Sequence, residues 1–252
     1  MTPRVSVIIP AFCCEKTIEG CIRSVLTGTE PDVEIVVVND SPIKKRKGLD
    51  AVLKRLSEED KRIRVLNIYE DIGVAEARNR GVAAAQADWV AFLDSDDLWE
   101  PDKLSIQLKT AEQTGAAIVY TAAACIDRSG EKTGKVFSVP KTITANKLLF
   151  GNDIITSTVL VRREPLLKYP MERSDLHEDF ICWYRILKDG AIAAGVNEQL
   201  ARYRITEDSK SGNKRKSAAM TWNTYRYLGV GFFRRIVCFA GYCLHGVKRY
   251  WL

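Results

Sequence analysis

The chain has 252 residues, 46% of them hydrophobic and 28% charged, with 38 Lys and Arg against 32 Asp and Glu for a formal net charge of +6. A chain of that size and composition buries a core of its own, which excludes a disordered tail or a small peptide held by disulfides. The positive excess taken as a whole would suit a nucleic-acid or membrane partner, but the charge is unevenly placed.

Asp208 is the last acidic residue, and the residues after it carry nine cations: Lys210, Lys214, Arg215, Lys216, Arg226, Arg234, Arg235, Lys248 and Arg249. Everything before them carries 29 positive against 32 negative charges. The same end is aromatic, from Trp222 and Tyr225 through Phe232, Phe233, Phe239 and Tyr242 to Trp251. The chain therefore divides into an acidic body, 1–208, and a basic, aromatic helical tail, 209–252, and no nucleic-acid partner is expected. Seven cysteines without a CxxC spacing, and a first segment without the succession of a signal peptide, point to a reduced cytoplasmic compartment. The apolar run Ile236 to Leu244 falls short of the ~20 residues that cross a bilayer.

In chain order, Val5 to Pro10 is a β-branched apolar strand, and Ile18, Cys21, Ile22, Val25 and Leu26 have helical spacing. Glu34 to Asp40 repeats the strand, completing a β-α-β unit. A helix over Leu49–Leu56, a strand over Ile63–Ile68, an Ala-rich helix over Val74–Ala85 and a strand over Trp89–Leu93 follow. Strands this apolar are covered on both faces, as in a mostly parallel sheet flanked by helices. Beyond Asp97 the spacing predicts a helix over Pro101–Thr114, a strand over Ala117–Cys125, a turn at Asp127–Gly130 leading into a hairpin, and a helix over Thr144–Leu149. A strand over Ser157–Val161, a helix over Glu178–Leu187 and a strand over Gln199–Arg204 complete the body.

Ligands of open α/β sheets bind beyond the carboxyl ends of the strands. Strands here end in Pro10-Ala11-Phe12, Asn39-Asp40 and Asp94-Ser95-Asp96-Asp97, so parallel strands bring several carboxylates to one rim. Mutual repulsion there is relieved by a divalent cation with hard oxygen ligands, whose open positions take phosphate oxygens. A helix cap accounts for Asp97 or Asp102 but needs only one carboxylate, which leaves Asp94 and Asp96 for other work. With His177 and His245 the only histidines, no histidine-based zinc site is expected.

The ordered motifs Val5–Phe12, Val36–Asp40, Gly73–Gly81 and Phe92–Asp97 resemble glycosyltransferase family 2, of the GT-A fold. Gly151-Asn152, Thr156–Val159, His177-Glu178-Asp179 with Trp183, and Tyr203-Arg204 extend the likeness to the branch that makes bacterial O-antigen, exopolysaccharide and teichuronic acid. The resemblance implies a nucleotide-sugar-binding half, 1–100, and an acceptor half, 101–208. It implies that Asp40 bonds the uracil ring, that Pro10, Ala11 and Phe12 wall the nucleotide pocket, and that Arg78 faces the uracil or diphosphate. Asp94, with Ser95 beside it, would reach the ribose, and Asp96 would hold Mn²⁺ or Mg²⁺ against the diphosphate of a UDP-sugar. Asp179 would take the proton of the acceptor hydroxyl, giving inversion. Glu178 and Asp179 equally suit the first turn of a helix, where the dipole favours acids, and for Glu178 the two readings stay open. His177, Arg204 and Lys210 are further candidates for contact.

The sequence departs from the family pattern in several places. Lys44–Lys47 follows Asp40 as a charge run read as a solvated loop, with phosphate contact the lesser option, Asp71 stands where many relatives have Asn, Thr206 replaces a histidine, and Cys13 and Cys14 replace an Asn-containing turn and read as packing residues. The tail reads either as helices packed on the body or as an interfacial segment on an anionic membrane, facing a polyprenyl-diphosphate-linked saccharide acceptor. The expected placement is cytoplasmic, peripheral at the inner face of the membrane. A sugar nucleotidylyltransferase is the alternative enzyme, but Pro10–Cys14 lacks its Gly-rich loop; GxGxxG and Walker patterns are absent as well. A non-catalytic membrane-associated protein on the same fold is the remaining alternative.

Overall fold

A computed structural model describes residues 2–205 and 214–251. Strand and helix alternate through β1 (Val5–Ala11), α1 (Ile18–Leu26), β2 (Val33–Asn39), α2 (Lys47–Glu59), β3 (Ile63–Asn67), α3 (Gly73–Ala84) and β4 (Trp89–Phe92). The order then loosens: β5 (Leu98–Trp99), α4 (Lys103–Thr114), β6 (Ile118–Ile126), β7 (Lys132–Phe137), α5 (Ala145–Leu148), β8 (Leu160–Arg162) and α6 (Arg163–Lys168). Last come α7 (Glu178–Lys188), β9 (Ala193–Arg204), α8 (Lys214–Tyr227) and α9 (Phe232–Trp251).

One sheet runs through both parts in the order β3-β2-β1-β4-β8-β6-β9-β5, with β7 on β6. The first four strands are parallel, and β1, β2 and β4 are buried on both faces, while β3 at the edge is partly exposed. The sheet becomes mixed where β8 enters antiparallel to both β4 and β6, while β6 and β9 pair parallel. Alternation along each strand divides the core between the faces. Ile8, Val36 and Val38 join α3, α7 and Tyr225 of α8 on one face. Val7, Ile9, Ile35 and Val37 join α1, α2 and α4 on the other. Tyr225, Val230 and Cys238 share the first of these cores, and the Tyr225 hydroxyl donates to Leu149 O, so 214–251 is built onto the body.

Several local expectations shift. Thr156–Thr158 is a single 3₁₀ turn, so the strand expected from Ser157 begins at Leu160. Helix α6 and strand β5 escaped the pattern reading because each is short. Strand β9 begins at Ala193, earlier than expected; the polar stretch around Asn197 and Glu198 coincides with shifts in its register against β6, which hides its period. In the expected solvated loop, Arg46 is buried: its Nε donates to Asp50 Oδ2 at 2.7 Å and its Nη1 to Ile68 O at 3.2 Å, ahead of α2.

Helix α3 lies very close to the sheet because it carries small residues on its inner side. A Cβ at Gly81 would sit 2.3 Å from Ile8 Cγ2, inside the contact limit. Gly81→Ala should therefore overpack this interface and lower stability by roughly 1–3 kcal/mol. The expected signature is a lower urea midpoint at unchanged slope; an unaltered midpoint would mean that α3 can lift off β1 freely.

Candidate active site

The parallel register sets the strand ends side by side. Ala11 pairs with Asn39, and Leu93 N donates to Ile8 O at 3.1 Å, so Asp40 and Asp94 leave the sheet on the same rim as Pro10. They open into a cleft of about 690 Å³, lined among others by Pro10, Phe12, Asp40, Arg78, Asp94, Ser95, Asp96, His177, Glu178, Asp179 and Arg204. Residues predicted from distant parts of the chain thus meet in one place. Ala11 does not join them. It is fully buried among residues of the α1 and α2 side, because alternation turns it away from the face to which Pro10 and Phe12 belong. Lys210 lies outside the described residues, as does Thr206.

Arg78 is the central cation. Its Nη2 donates to Asp94 Oδ1 at 2.6 Å and its Nη1 to Glu178 Oε1 at 3.2 Å, while the buried Nε has no partner among the described residues. Burial opposes the guanidinium charge, but Asp94 and Glu178 outweigh it and hold the group above its ordinary value. Glu178 is thus more than a first-turn acid: it forms one end of a buried bridge between α7 and the loop after β4. Asp40 is buried and raised above the ordinary carboxylate range, first by desolvation and then by Asp71, against the backbone amides of Ile72 and Gly73. Asp96 is raised too, by burial and then by Asp94, with Arg204 pulling the other way.

Asp97 is not a helix cap. It is buried, its Oδ1 accepts from the backbone N–H of Arg204 at 2.7 Å, and Arg204 Nε donates back to Asp96 O at 2.8 Å. That exchange clamps the end of β9 to the acidic loop. The cap position of α4 falls on Asp102, whose side chain makes no cap hydrogen bond. Cys14 packs against the α1 side, where burial pushes its thiol up to about 11. His177 Nε2 lies 3.1 Å from Thr221 Oγ1 and ties the start of α7 to α8.

Asp179 is held by both oxygens: Oδ1 accepts from Phe180 N at 2.7 Å and Oδ2 from the Thr156 hydroxyl at 2.9 Å. The Thr156 turn is itself pinned from below. Trp99 Nε1 donates to Ser157 O at 2.7 Å, Gln107 Nε2 to Thr158 O at 2.9 Å, and the Ser157 hydroxyl accepts from Asp94 N at 3.1 Å. The acidic loop and Asp179 are thereby oriented by one short turn. Motif spacing alone did not reveal Thr156, Lys103 and Gln107 as parts of this support, because their partners lie on other elements. Nor did it reveal that Tyr242, His245 and Arg249 of α9 line the same cleft.

Residues 6–169 match the model of glycosyl transferase family 2. The chain belongs to glycosyltransferase family 2. The transferase is 34% identical over 98% of its length to TuaG of Bacillus subtilis, named for teichuronic acid biosynthesis, and covers 97% of that protein. It is 32% identical over 98% of its length to WfgD of Escherichia coli, named a UDP-Glc:α-D-GlcNAc-diphosphoundecaprenol β-1,3-glucosyltransferase, covering 94% of it. Its fold is similar to that of Staphylococcus aureus TarS in complex with UDP-GlcNAc, with a TM-score of 0.73 at 15% identity over 90% of this chain and 66% of that one. The Pyrobaculum calidifontis mannosyltransferase PcManGT, in complex with GDP-Man and Mn²⁺, gives 0.70 at 18% identity over 96% and 69%. The transferase thus has the GT-A-like fold expected of its motifs, and it is an enzyme, a glycosyltransferase.

Beneath the Thr156 turn, Nζ of the buried Lys103 donates to Gln107 Oε1 at 2.6 Å and lies 3.9 Å from the Trp99 ring. Its acceptor is an amide rather than a carboxylate, and burial holds its pKa well below the ordinary 10.5. A lysine depressed in the folded state binds fewer protons there than when unfolded, so it costs stability at neutral pH, and the cost fades as pH rises. Relative to Lys103→Met, the wild type should gain stability as the pH rises towards the ordinary lysine value of 10.5, with a slope no steeper than about 1.4 kcal/mol per pH unit. Urea titrations at several pH values measure this, and a constant difference would show that the lysine is charged when folded.

Proposed function

We propose that the enzyme transfers a hexose, with glucose as the first candidate, from a UDP-sugar to a hydroxyl of a saccharide carried on a polyprenyl diphosphate, with inversion at the anomeric carbon. The observation that carries this reading is Asp179, a carboxylate fixed through both oxygens in the same cleft as Asp40, Asp94 and Asp96. Each carboxylate oxygen keeps a second lone pair, so Asp179 can take the acceptor proton without losing its support from Thr156 or Phe180. The acceptor oxygen bonds to the anomeric carbon, the bond from that carbon to the diphosphate oxygen breaks, and UDP leaves with the electron pair. Pro10, Phe12 and Asp40 form the base-binding end, and Asp94 with Ser95 meets the ribose. Arg78, tied to Asp94 and Glu178, shapes the diphosphate region through those carboxylates.

Among the described residues no group of three His, Cys, Asp or Glu side chains is arranged to hold a metal. Asp94 is already engaged by Arg78, which leaves Asp96 as the principal carboxylate for a cation. That set suits Mg²⁺ or Mn²⁺ held by one carboxylate and completed by substrate phosphate oxygens. Bound there, the cation would stabilise the charge growing on the departing UDP.

Asp179→Asn should keep the affinity for UDP-glucose in calorimetry and lose about 10²- to 10⁴-fold in transfer rate to a GlcNAc-diphosphate lipid. Transfer at the wild-type rate would overturn the assignment of the base.

The acceptor's lipid places the enzyme, on this reading, at the cytoplasmic face of an anionic membrane. No helix among the described residues is long and apolar enough to cross one. Helix α9 instead presents Phe232, Phe233, Ile236, Val237, Leu244 and Val247 outward, with Phe233 83% and Leu244 72% exposed, and Arg234 and Lys248 are exposed at its flanks. An exposed apolar stripe edged by cations suits insertion at an anionic interface. Phe233→Ser combined with Leu244→Ser should release the protein from phosphatidylglycerol vesicles in a flotation assay while leaving its melting temperature in place. Undiminished flotation would remove α9 from the membrane contact.

A further inference from the structure

Helix α9 has two working faces. Phe233, Ile236, Val237, Leu244 and Val247 point outward, whereas Tyr242, His245, Gly246 and Arg249, spaced three or four residues apart on another side of the helix, line the cleft. The inner face is closely fitted. A Cβ at Gly151 would lie 2.4 Å from His245 Cγ, and one at Gly241 would lie 2.4 Å from Phe150 Cδ1, so glycines let the helix down onto the Phe150–Asp153 loop. His245 Nε2 is 2.8 Å from Asp153 Oδ1, Arg249 Nη1 donates to the same oxygen at 3.0 Å and to Asn152 O at 2.7 Å, and the guanidinium lies over the Phe137 ring at 4.6 Å.

We propose that Arg249, flanked by His245, is the subsite for the acceptor's diphosphate, which places that group between the catalytic cleft and the membrane-facing side of one helix. This rests on the transferase reading above. Among the described residues both hydrogen bonds of Arg249 run through Nη1, and its Nε and Nη2 edge has the fork that matches phosphate oxygens. The carboxylates assigned to the donor, Asp40, Asp94 and Asp96, repel a second diphosphate, whereas α9 brings a guanidinium and an imidazole against the carboxylate of Asp153. A lipid whose chain enters the bilayer along the outer face of α9 carries its diphosphate as the first polar group, so the same helix meets both the chain and the diphosphate.

The test is calorimetry on the intact chain with two probes: GlcNAc-α-diphosphate on a short alkyl chain, and the alkyl glycoside lacking the diphosphate. The wild type should prefer the first, and Arg249→Gln should weaken that ligand by about tenfold to a hundredfold while sparing the glycoside, UDP-glucose and phosphatidylglycerol vesicles. His245→Gln should show the same selective loss, smaller in size. Asp153→Asn should bind the diphosphate probe as tightly as the wild type or more tightly, because it removes a competing carboxylate. If Arg249 only anchors α9, Asp153→Asn will copy its defect and both probes will weaken together, which overturns the proposal. Loss of UDP-glucose binding in Arg249→Gln would assign the residue to the donor, and loss of vesicle binding would assign it to headgroups; either result also overturns it. Equal wild-type affinity for both probes does the same. Failure of the wild type to bind or use any UDP-sugar would instead strike the transferase reading, independently of these probe affinities.

Discussion

The Arg78 guanidinium, buried between Asp94 and Glu178, is the interaction on which the rest of the site depends. It comes from α3, and its two partners come from the loop after β4 and the first turn of α7, which are far apart in sequence. A buried charge is tolerated only when its partners are held in place, so satisfying this guanidinium fixes how α7 approaches the parallel strands. Asp179 follows Glu178 directly, and its position in the cleft is set by the same contact. The electrostatics of binding and the placement of the proposed base are therefore one structural problem.

The Thr156 turn solves the second half of that problem. Its hydroxyl holds Asp179, its neighbouring Ser157 holds the amide of Asp94, and Trp99 and Gln107 grip its carbonyls from beneath. A 3₁₀ turn exposes unpaired backbone groups within a few residues, which suits it to this role better than a strand, whose groups are spent on neighbours. The cost is a polar network in the core, including Lys103 held by an amide. Such networks orient side chains when every member is bonded, and here the bonds converge on the two acidic segments of the cleft.

Much of this arrangement was legible in the chain. Two-sided apolar strands separated by helical spacing dictate parallel crossovers, and parallel crossovers place Asp40 and Asp94 on one rim whatever the details of packing. The unbalanced charge also had a structural meaning: the basic, aromatic end forms α8 and α9. What pattern could not reveal were choices made by partners remote in sequence. Ala11 shares a motif with Pro10 and Phe12 but is turned into the opposite core by strand alternation. Asp97 sits in a cluster with Asp94 and Asp96 but is spent on clamping β9, because the incoming strand offers an amide there. Arg46 stands in a charge run but is buried by Asp50 and the end of β3.

Helix α9 marks the division most clearly. Its sequence is apolar over more than half its circumference, so periodicity shows that it has faces without showing which one turns inward. The glycines at 151 and 241 and the carboxylate of Asp153 decide that, by admitting His245 and Arg249 to the cleft and leaving Phe233 and Leu244 outside. The sequence by itself determined the parallel half-sheet, the acidic rim and the family, because these follow from local spacing and chain order. The tertiary structure alone decided which cation answers which carboxylate and which side of the last helix lines the cleft, because burial and pairing depend on groups that only folding brings together.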